Sequence, residues 1–530
     1  MKRITALMLA ALLILTGSVA IAADGSSNVY QGYTYDFFKN IKSTPAPFVL
    51  SQVLDYNFFT PKNSKSYTYS LVDIPDVCTS ADGRIFVAAT ILQDPVEDGK
   101  ENETYTRIYV LNSDGSLYDP QAETGVKMSS PFYNFRVAHS DPEKAAAGTT
   151  QATTFDAPTT AATKRFGTCM GLFYHEKNDE LYVADTSSQR IVVFDGKTLL
   201  AKRAIYRPEN LNSDKAFEPQ KIAVDNADRI YVVIKGSSEG IIELNEDGSF
   251  SRFFGVNEPT VNLLDYFWKS ISTDAQKEKM AKTLAPEFNN VALDGEGFIM
   301  AVTSDQAASK KVFRLNFEGA NVLRELGNVP VQGDLNVDTP SIFVDIAIKP
   351  YGTYAVLDSS KGRIFTYNFD GELLSVFGSK GNIAGQFQTP SAIAWLGDKL
   401  VVSDSTRKCV YIYSPTPFGQ ALLNASEAYY NGQWEDATKH FEEVLRLCSN
   451  LETAYVGIGK NKLMQEEYED AMYYFELGNS HEFYSKAYKG HRTNVMKDHF
   501  EIIAVVAVVA IGLVVWSELS YHRKQRRLYK

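Results

Sequence analysis

The sequence predicts a mainly β protein, a six-bladed β-propeller followed by a small α-helical domain and one transmembrane helix. Three observations carry this. A unit of three or four short apolar strands separated by Asp-Gly, Asn-Asp or Gly-Asp turns occurs six times, at a period of roughly 45 to 60 residues. From Phe418 the strand pattern gives way to helical segments that repeat at 34 residues. Further on, Ile502 to Trp516 is an unbroken apolar run.

Length and composition agree with a multidomain, strand-rich chain. A chain of 530 residues exceeds one ordinary core. Tyr (30) and Phe (31) far outnumber Trp (4), which favours strands. The formal net charge of −11 argues against a nucleic-acid partner, which would call for a basic face.

At the N-terminus, Lys2 and Arg3 precede an apolar run from Ile4 and the small-residue site Ala20-Ile21-Ala22. This pattern makes 1–22 a secretory signal peptide. Residues 23–47 form an N-terminal segment with Pro45 and Pro47, and the propeller is expected over 48–415.

The first repeat comprises Ile74–Cys78, Arg84–Ala88 and Arg107–Leu111, with turns at Asp82-Gly83 and Asp114-Gly115. The second comprises Gly171–Tyr174, Leu181–Asp185 and Arg190–Phe194; the third Lys221–Asp225, Arg229–Val233 and Gly240–Leu244. The fourth has Asn290–Asp294, Gly297–Ala301 and Lys311–Leu315, and the fifth Val344–Ile348, Thr353–Asp358, Arg363–Tyr367 and Leu373–Phe377. The sixth has Ser391–Leu396, Lys399–Ser403 and Cys409–Tyr413, and lacks a fourth strand before Pro415. A propeller that stays open exposes a sheet edge. The alternating segment Val49–Leu54 therefore completes the last blade, clasping the two ends of the ring.

Two inserts interrupt the period. Residues 120–165 are polar and rich in Ala and Thr, and read as a long exposed loop. Residues 257–287 carry Leu263, Leu264, Phe267 and Trp268 at helical spacing and a capping-box pattern from Thr273 to Gln276. That insert either shapes a binding face or glues itself to a blade.

Residues 417–498 form the helical domain. Two hairpins, Asn424–Leu447 and Tyr455–Gly478, place Ala425 opposite Gly459, Ala437 opposite Ala471 and Phe441 opposite Phe475 in the repeat. The small residues allow close helix approach and the aromatics fill the groove; a helix over Ser485–Lys497 caps the pair. Residues 500–520 span a membrane, and 521–530 form a basic tail with Arg523, Lys524, Arg526, Arg527 and Lys530. The positive-inside rule puts that tail in the cytoplasm and the bulk of the chain outside it.

Chemistry-bearing patterns are sparse. Cys78, Cys169, Cys409 and Cys448 are scattered, so they are either isolated thiols or include a Cys78–Cys169 disulfide between neighbouring repeats. Only His139 and His175 fall in the propeller, too few for a histidine-ligated zinc site. The sequence contains no GxSxG, HExxH, P-loop or dinucleotide fingerprint. No catalytic constellation and no cofactor are expected.

The blades resemble NHL repeats. The likeness rests on Phe377–Gly381, Gly385-Gln386-Phe387, Pro390, Ile393-Ala394 and Val402–Ser405, and on Leu181–Thr186 through Arg190-Ile191. It implies that Asp185, Asp358 and Asp404, each after a second strand, and Arg190, Arg363 and Lys408, each opening a third, stitch their blades together. Repeats one, three and four lack the Asp-Ser/Thr pair and are expected to bend or carry altered loops. The hairpins resemble tetratricopeptide repeats. Proteins of this layout are similar to those found beside carbohydrate ABC-transport components in Gram-positive-type bacteria. The resemblance implies a non-enzymatic, membrane-anchored scaffold with protein partners, possible transporter subunits among them, and a carbohydrate ligand. The alternative is a gluconolactonase-like hydrolase holding an axial divalent cation through Asp76, Asn289, Asn290 and Asp345; the plainer reading of those four is turn capping at strand starts.

Overall fold

A strand buried on both faces reads as a continuous apolar run, whereas a strand at a sheet's rim alternates. The chain begins with β1 (Gly32–Tyr35), β2 (Ile41–Thr44), β3 (Phe48–Leu54) and the short helix α1 (Tyr56–Phe59). Blade one is β4 (Tyr67–Thr79), β5 (Ile85–Pro95) and β6 (Glu103–Leu111), followed by helix α2 (Pro120–Thr124). Blade two is β7 (Cys169–His175), β8 (Glu180–Asp185), β9 (Arg190–Asp195) and β10 (Ala201–Ile205). Blade three is β11 (Pro219–Val224), β12 (Ile230–Ile234), β13 (Ile241–Leu244) and β14 (Phe250–Phe254). Blade four is β15 (Asn290–Leu293), β16 (Ile299–Val302) and β17 (Val312–Leu315). Blade five is β18 (Phe343–Ile348), β19 (Tyr354–Asp358), β20 (Arg363–Tyr367) and β21 (Leu373–Phe377). Blade six is β22 (Pro390–Leu396), β23 (Lys399–Asp404) and β24 (Cys409–Pro415). The second strands β8, β12 and β16 are buried at every position because neighbouring blades cover both faces, while the outer β14 is buried only at Phe254.

This computed structural model describes residues 32–97, 100–125, 130–132, 166–213, 215–255, 287–306, 308, 310–335 and 340–528. The expected signal peptide, His139, the helical insert around Phe267 and Trp268, and most of 120–165 lie outside them.

The inner strands touch in the cyclic order β4, β7, β11, β15, β18, β22 and back to β4, which closes the six-bladed ring. The clasp forms as the sequence predicts: β3 pairs antiparallel with β24, Leu54 opposite Val410 and Phe48 opposite Pro415. Phe48 stacks on Phe377 of blade five at 5.0 Å, tying the closing strand to the previous blade as well.

Three features depart from the sequence reading. The N-terminal segment is structured: β1 and β2 form a hairpin that pairs with β21 and widens blade five to six strands. Blade one is longer than its apolar core suggests, because β4 and β5 extend beyond Leu71 as a hairpin whose pairing reaches Tyr67 and Pro95. The expected exposed loop after β6 is anchored in the core: Phe132 is buried against Phe194, their ring centroids 5.3 Å apart. Blades one and four have three strands among the described residues.

After β24 come α3 (Pro417–Tyr430), α4 (Trp434–Leu447), α5 (Glu452–Met464), α6 (Tyr468–Leu477), α7 (His481–Asp498) and α8 (Phe500–Leu528). Thr416 caps α3 by accepting from the Gly419 N–H at 3.1 Å, with Pro417 at the first helical position. Gly419 is required there, since a Cβ would lie 1.9 Å from the Pro47 carbonyl oxygen. Ala425 and Phe441 share one buried cluster, and Ala471 and Phe475 share the next; Ala437 is also buried. Gly459 lies under the Phe475 ring. Helix α8 is long and apolar enough to cross a membrane, with a mean hydropathy of 2.6 over its most apolar 18 residues within Phe500–Lys524. Its helix continues to Leu528, so most of the basic tail is helical.

Candidate axial binding site

Strand pairing makes one position of each inner strand equivalent. Asp76 lies opposite Ala88, Gly171 opposite Ala184, Lys221 opposite Val233, Asn290 opposite Val302, Asp345 opposite Leu357 and Ala392 opposite Ser403. In five of the six inner strands this residue follows directly on a register shift. A bulge re-aims the next side chain, and here it gathers charged groups at the ring's centre.

The Lys221 ammonium lies 2.5 Å from Asp76 Oδ1. Asp76 Oδ2 accepts the Leu172 N–H of the next blade at 2.6 Å, and Asp345 Oδ2 accepts the Ile393 N–H of its next blade at 2.7 Å. Each aspartate thereby latches one inner strand to the following one. Asp345 Oδ1 takes the Ile346 N–H at 2.8 Å, and Asn290 Oδ1 takes the Val291 N–H at 2.6 Å. Burial pushes the Asp76 carboxyl up, and pushes Asp345 to about 7, with Lys221 opposing the rise and Asp76 adding to it. Burial also disfavours the Lys221 charge, but the fields of Asp76 and Asp345 override it and hold the ammonium protonated.

These residues form the floor of a central cavity of about 720 Å³. It extends to the turns that join inner strands to their second strands, where Glu176, Lys349, Tyr351, Trp395 and Asp398 form part of the wall. Lys349 sits 5.0 Å over the Trp395 ring and pairs with Asp398, and the Trp395 indole N–H donates to the Ala347 carbonyl at 3.1 Å.

The helical region docks on this same face. Gln420 of α3 donates to Asp398 Oδ2 at 2.9 Å, Tyr430 to Glu296 at 3.0 Å and Tyr429 to Asp370 at 2.9 Å. Helix α3 thus runs from blade six to blade four beside the cavity.

The structure brings Asp76, Asn290 and Asp345 together and leaves Asn289 out; Asn289 Oδ1 accepts the Ser304 N–H at 2.7 Å instead. The three do not fit an axial divalent cation. Lys221 already occupies an Asp76 oxygen, and a second cation beside a buried ammonium meets direct repulsion. Among the described residues no group of three or more His, Cys, Asp or Glu side chains is arranged to hold a metal. Lys221 itself escaped the sequence reading. The signal was a cation opening the apolar run Lys221–Val224, where blades one, four and five place Asp or Asn.

The repeat residues lie away from the axis. Asp185, Asp358 and Asp404 each accept an N–H from the segment leading into their own inner strand: Gly167 at 3.0 Å, Ile342 at 3.0 Å and Gln388 at 2.6 Å. Of the expected basic partners, Arg190 pairs with Asp185 at 2.9 Å. Arg363 pairs with Asp334 instead, and Lys408 lies 5.9 Å over the Tyr56 ring. Each is drawn to the group that the neighbouring N-terminal segment or loop places beside it. The four cysteines are free; Cys78 and Cys169 belong to one apolar cluster without a bond between them.

No family model matches the chain, and no curated protein matches it. Solved structures do. Virginiamycin B lyase from Staphylococcus aureus aligns at 10% identity over 69% of this chain and 99% of its own, with a TM-score of 0.36. A streptogramin B lyase aligns at 12% identity over 66% of this chain and 98% of its own, TM-score 0.35. The extracellular domain of a hybrid two-component system from B. thetaiotaomicron aligns at 10% identity over 72% of this chain and 45% of its own, TM-score 0.34.

Proposed function

We propose that this chain is a non-enzymatic binding and scaffold protein held at the membrane by α8. The propeller, of NHL type over 48–415, lies outside the cytoplasm and presents its axial cavity. Tetratricopeptide-like hairpins over 417–498 join it to a span over 500–520. The observation that carries this reading is the docking of α3 along the rim of the cavity face, through Gln420–Asp398 and Tyr430–Glu296. A ligand in the cavity and a partner on the helices would then share one edge, with the Lys349–Asp398–Gln420 chain between them. Transport components for carbohydrates are the partner class in view.

The cavity floor supports binding over catalysis. Asp76 and Asp345 already take backbone N–H groups on both oxygens or an ammonium on one, so neither is poised as a free base. Co-purification of the detergent-solubilised full chain tests the proposal. Recovery of membrane-transport subunits supports it, and a partner-free protein that hydrolyses lactones overturns it.

A further inference from the structure

The floor of the axial cavity presents opposite charges at close quarters, with unused donors on Asn290 and Lys221. Asn290 is 6% exposed, its Oδ1 is engaged by Val291, and its amide nitrogen has no partner among the described residues. The Lys221 ammonium carries three N–H groups, and one of them meets Asp76. Beside these donors, the Asp76 and Asp345 oxygens retain lone pairs beyond the N–H bonds they accept.

This pattern discriminates by charge. A ligand cation placed on the floor meets the Lys221 ammonium, and a ligand anion meets the carboxylates of Asp76 and Asp345. In a recess of low dielectric either approach costs more than it would in water. A hydroxyl group avoids both penalties, because it accepts from an ammonium or amide and donates to a carboxylate with the same oxygen. Several hydroxyls on one frame would satisfy Asn290, Lys221 and Asp345 together. The half-buried Trp395 on the wall offers apolar surface to the C–H face of such a frame.

We infer that the axial cavity binds a neutral, polyhydroxylated small molecule, with Asn290 and Lys221 donating to its oxygens and Asp345 accepting from its hydroxyls. This deepens the binding-protein reading above and rests on it.

Calorimetric titration of the detergent-solubilised full chain tests the inference with three neutral probes, glucose, maltose and myo-inositol, beside the cation spermidine and the anion citrate. The expected result is saturable binding of at least one neutral probe and none of spermidine or citrate. Asn290→Ala should weaken that binding about tenfold, the cost of one lost hydrogen bond to a buried group. Lys221→Gln should weaken it further. Should Lys221→Gln fail to fold, Asn290→Ala alone decides, with its unfolding temperature compared to the parent to exclude a collapsed cavity. Binding of spermidine or citrate in preference, no binding of any probe, or neutral-probe binding indifferent to Asn290→Ala overturns the inference. Partner recovery is read independently: transport subunits retained without polyol binding would sink the ligand class and leave the scaffold reading standing.

Discussion

The Lys460 ammonium on α5 lies 2.7 Å from Asp370 Oδ2 in the turn between β20 and β21. Glu372 completes the site at 2.9 Å, and Lys460 is 3% exposed. Burial works against the Lys460 charge, yet Glu372 and Asp370 more than offset it and raise its affinity for the proton. Removing Lys460 leaves the buried Glu372 without its cation and Asp370 with only the exposed Arg324, 3.1 Å from its Oδ1. Lys460→Met is expected to cost about 3–5 kcal/mol at this interface. Hydrogen exchange should show α3 to α6 losing protection ahead of the blades. Adding Asp370→Asn and Glu372→Gln to that variant should recover part of the loss; unchanged protection in Lys460→Met would refute the latch.

Ring closure depends on Phe48. Its side chain is 2% exposed and stacked on Phe377. Phe48→Ala is expected to destabilise the propeller by about 3–5 kcal/mol through the lost transfer energy and the cavity left behind. Chemical denaturation measures this, and a loss below about 1 kcal/mol would place the clasp's strength in the β3–β24 ladder alone.

The helical hairpins depend on close approach at Gly459. A Cβ there would sit 2.7 Å from Phe475 Cδ1. Overpacking of this kind costs about 1–3 kcal/mol. Gly459→Ala should lower the unfolding temperature of the helical region while the propeller's transition stays in place, as a calorimetric scan can resolve.

Protonation of Asp345 makes stability pH-dependent. Its carboxyl is raised from 3.8 to about 7 by burial, so between those values the folded chain holds a proton that the unfolded chain has released. The folded state binds more protons there, and this group's contribution therefore falls as pH rises through the window. Asp345→Asn should flatten the decline of unfolding temperature between pH 4.5 and 7.5, about one proton's worth of slope. An unaltered slope would assign the dependence to other groups.

Orientation in the membrane is testable at the C-terminal end of α8. A single cysteine introduced between His522 and Lys530 should react with an impermeant maleimide only after the membrane is opened. Labelling of intact cells would reverse the proposed topology.

Much of the fold was legible because its signals are local. The turn residues and apolar runs of each blade set strand order, and the missing fourth strand after Tyr413 left Val49–Leu54 as the remaining segment with the right alternation. The β1–β2 hairpin was not legible. Its short strands, Gly32–Tyr35 and Ile41–Thr44, carry little apolar alternation and are held from outside, by pairing with β21 and by the Phe37 N–H donating to Glu452 of α5 at 2.7 Å. Three of the four polar strand-start residues proposed for the axis do reach it, while Asn289, one residue before β15, accepts the Ser304 N–H instead.

Blade number, the closing strand, the change to helical period and the apolar helix were determined by the sequence itself, since each follows from periodicity along a few neighbouring residues. The tertiary structure alone decided which charges meet on the axis and between blade five and the helices. Lys221 and Asp76 are 145 residues apart, and Lys460 and Asp370 are 90 apart. A buried charge must find its opposite wherever the packed blades and helices bring one near, and no local pattern records that distance.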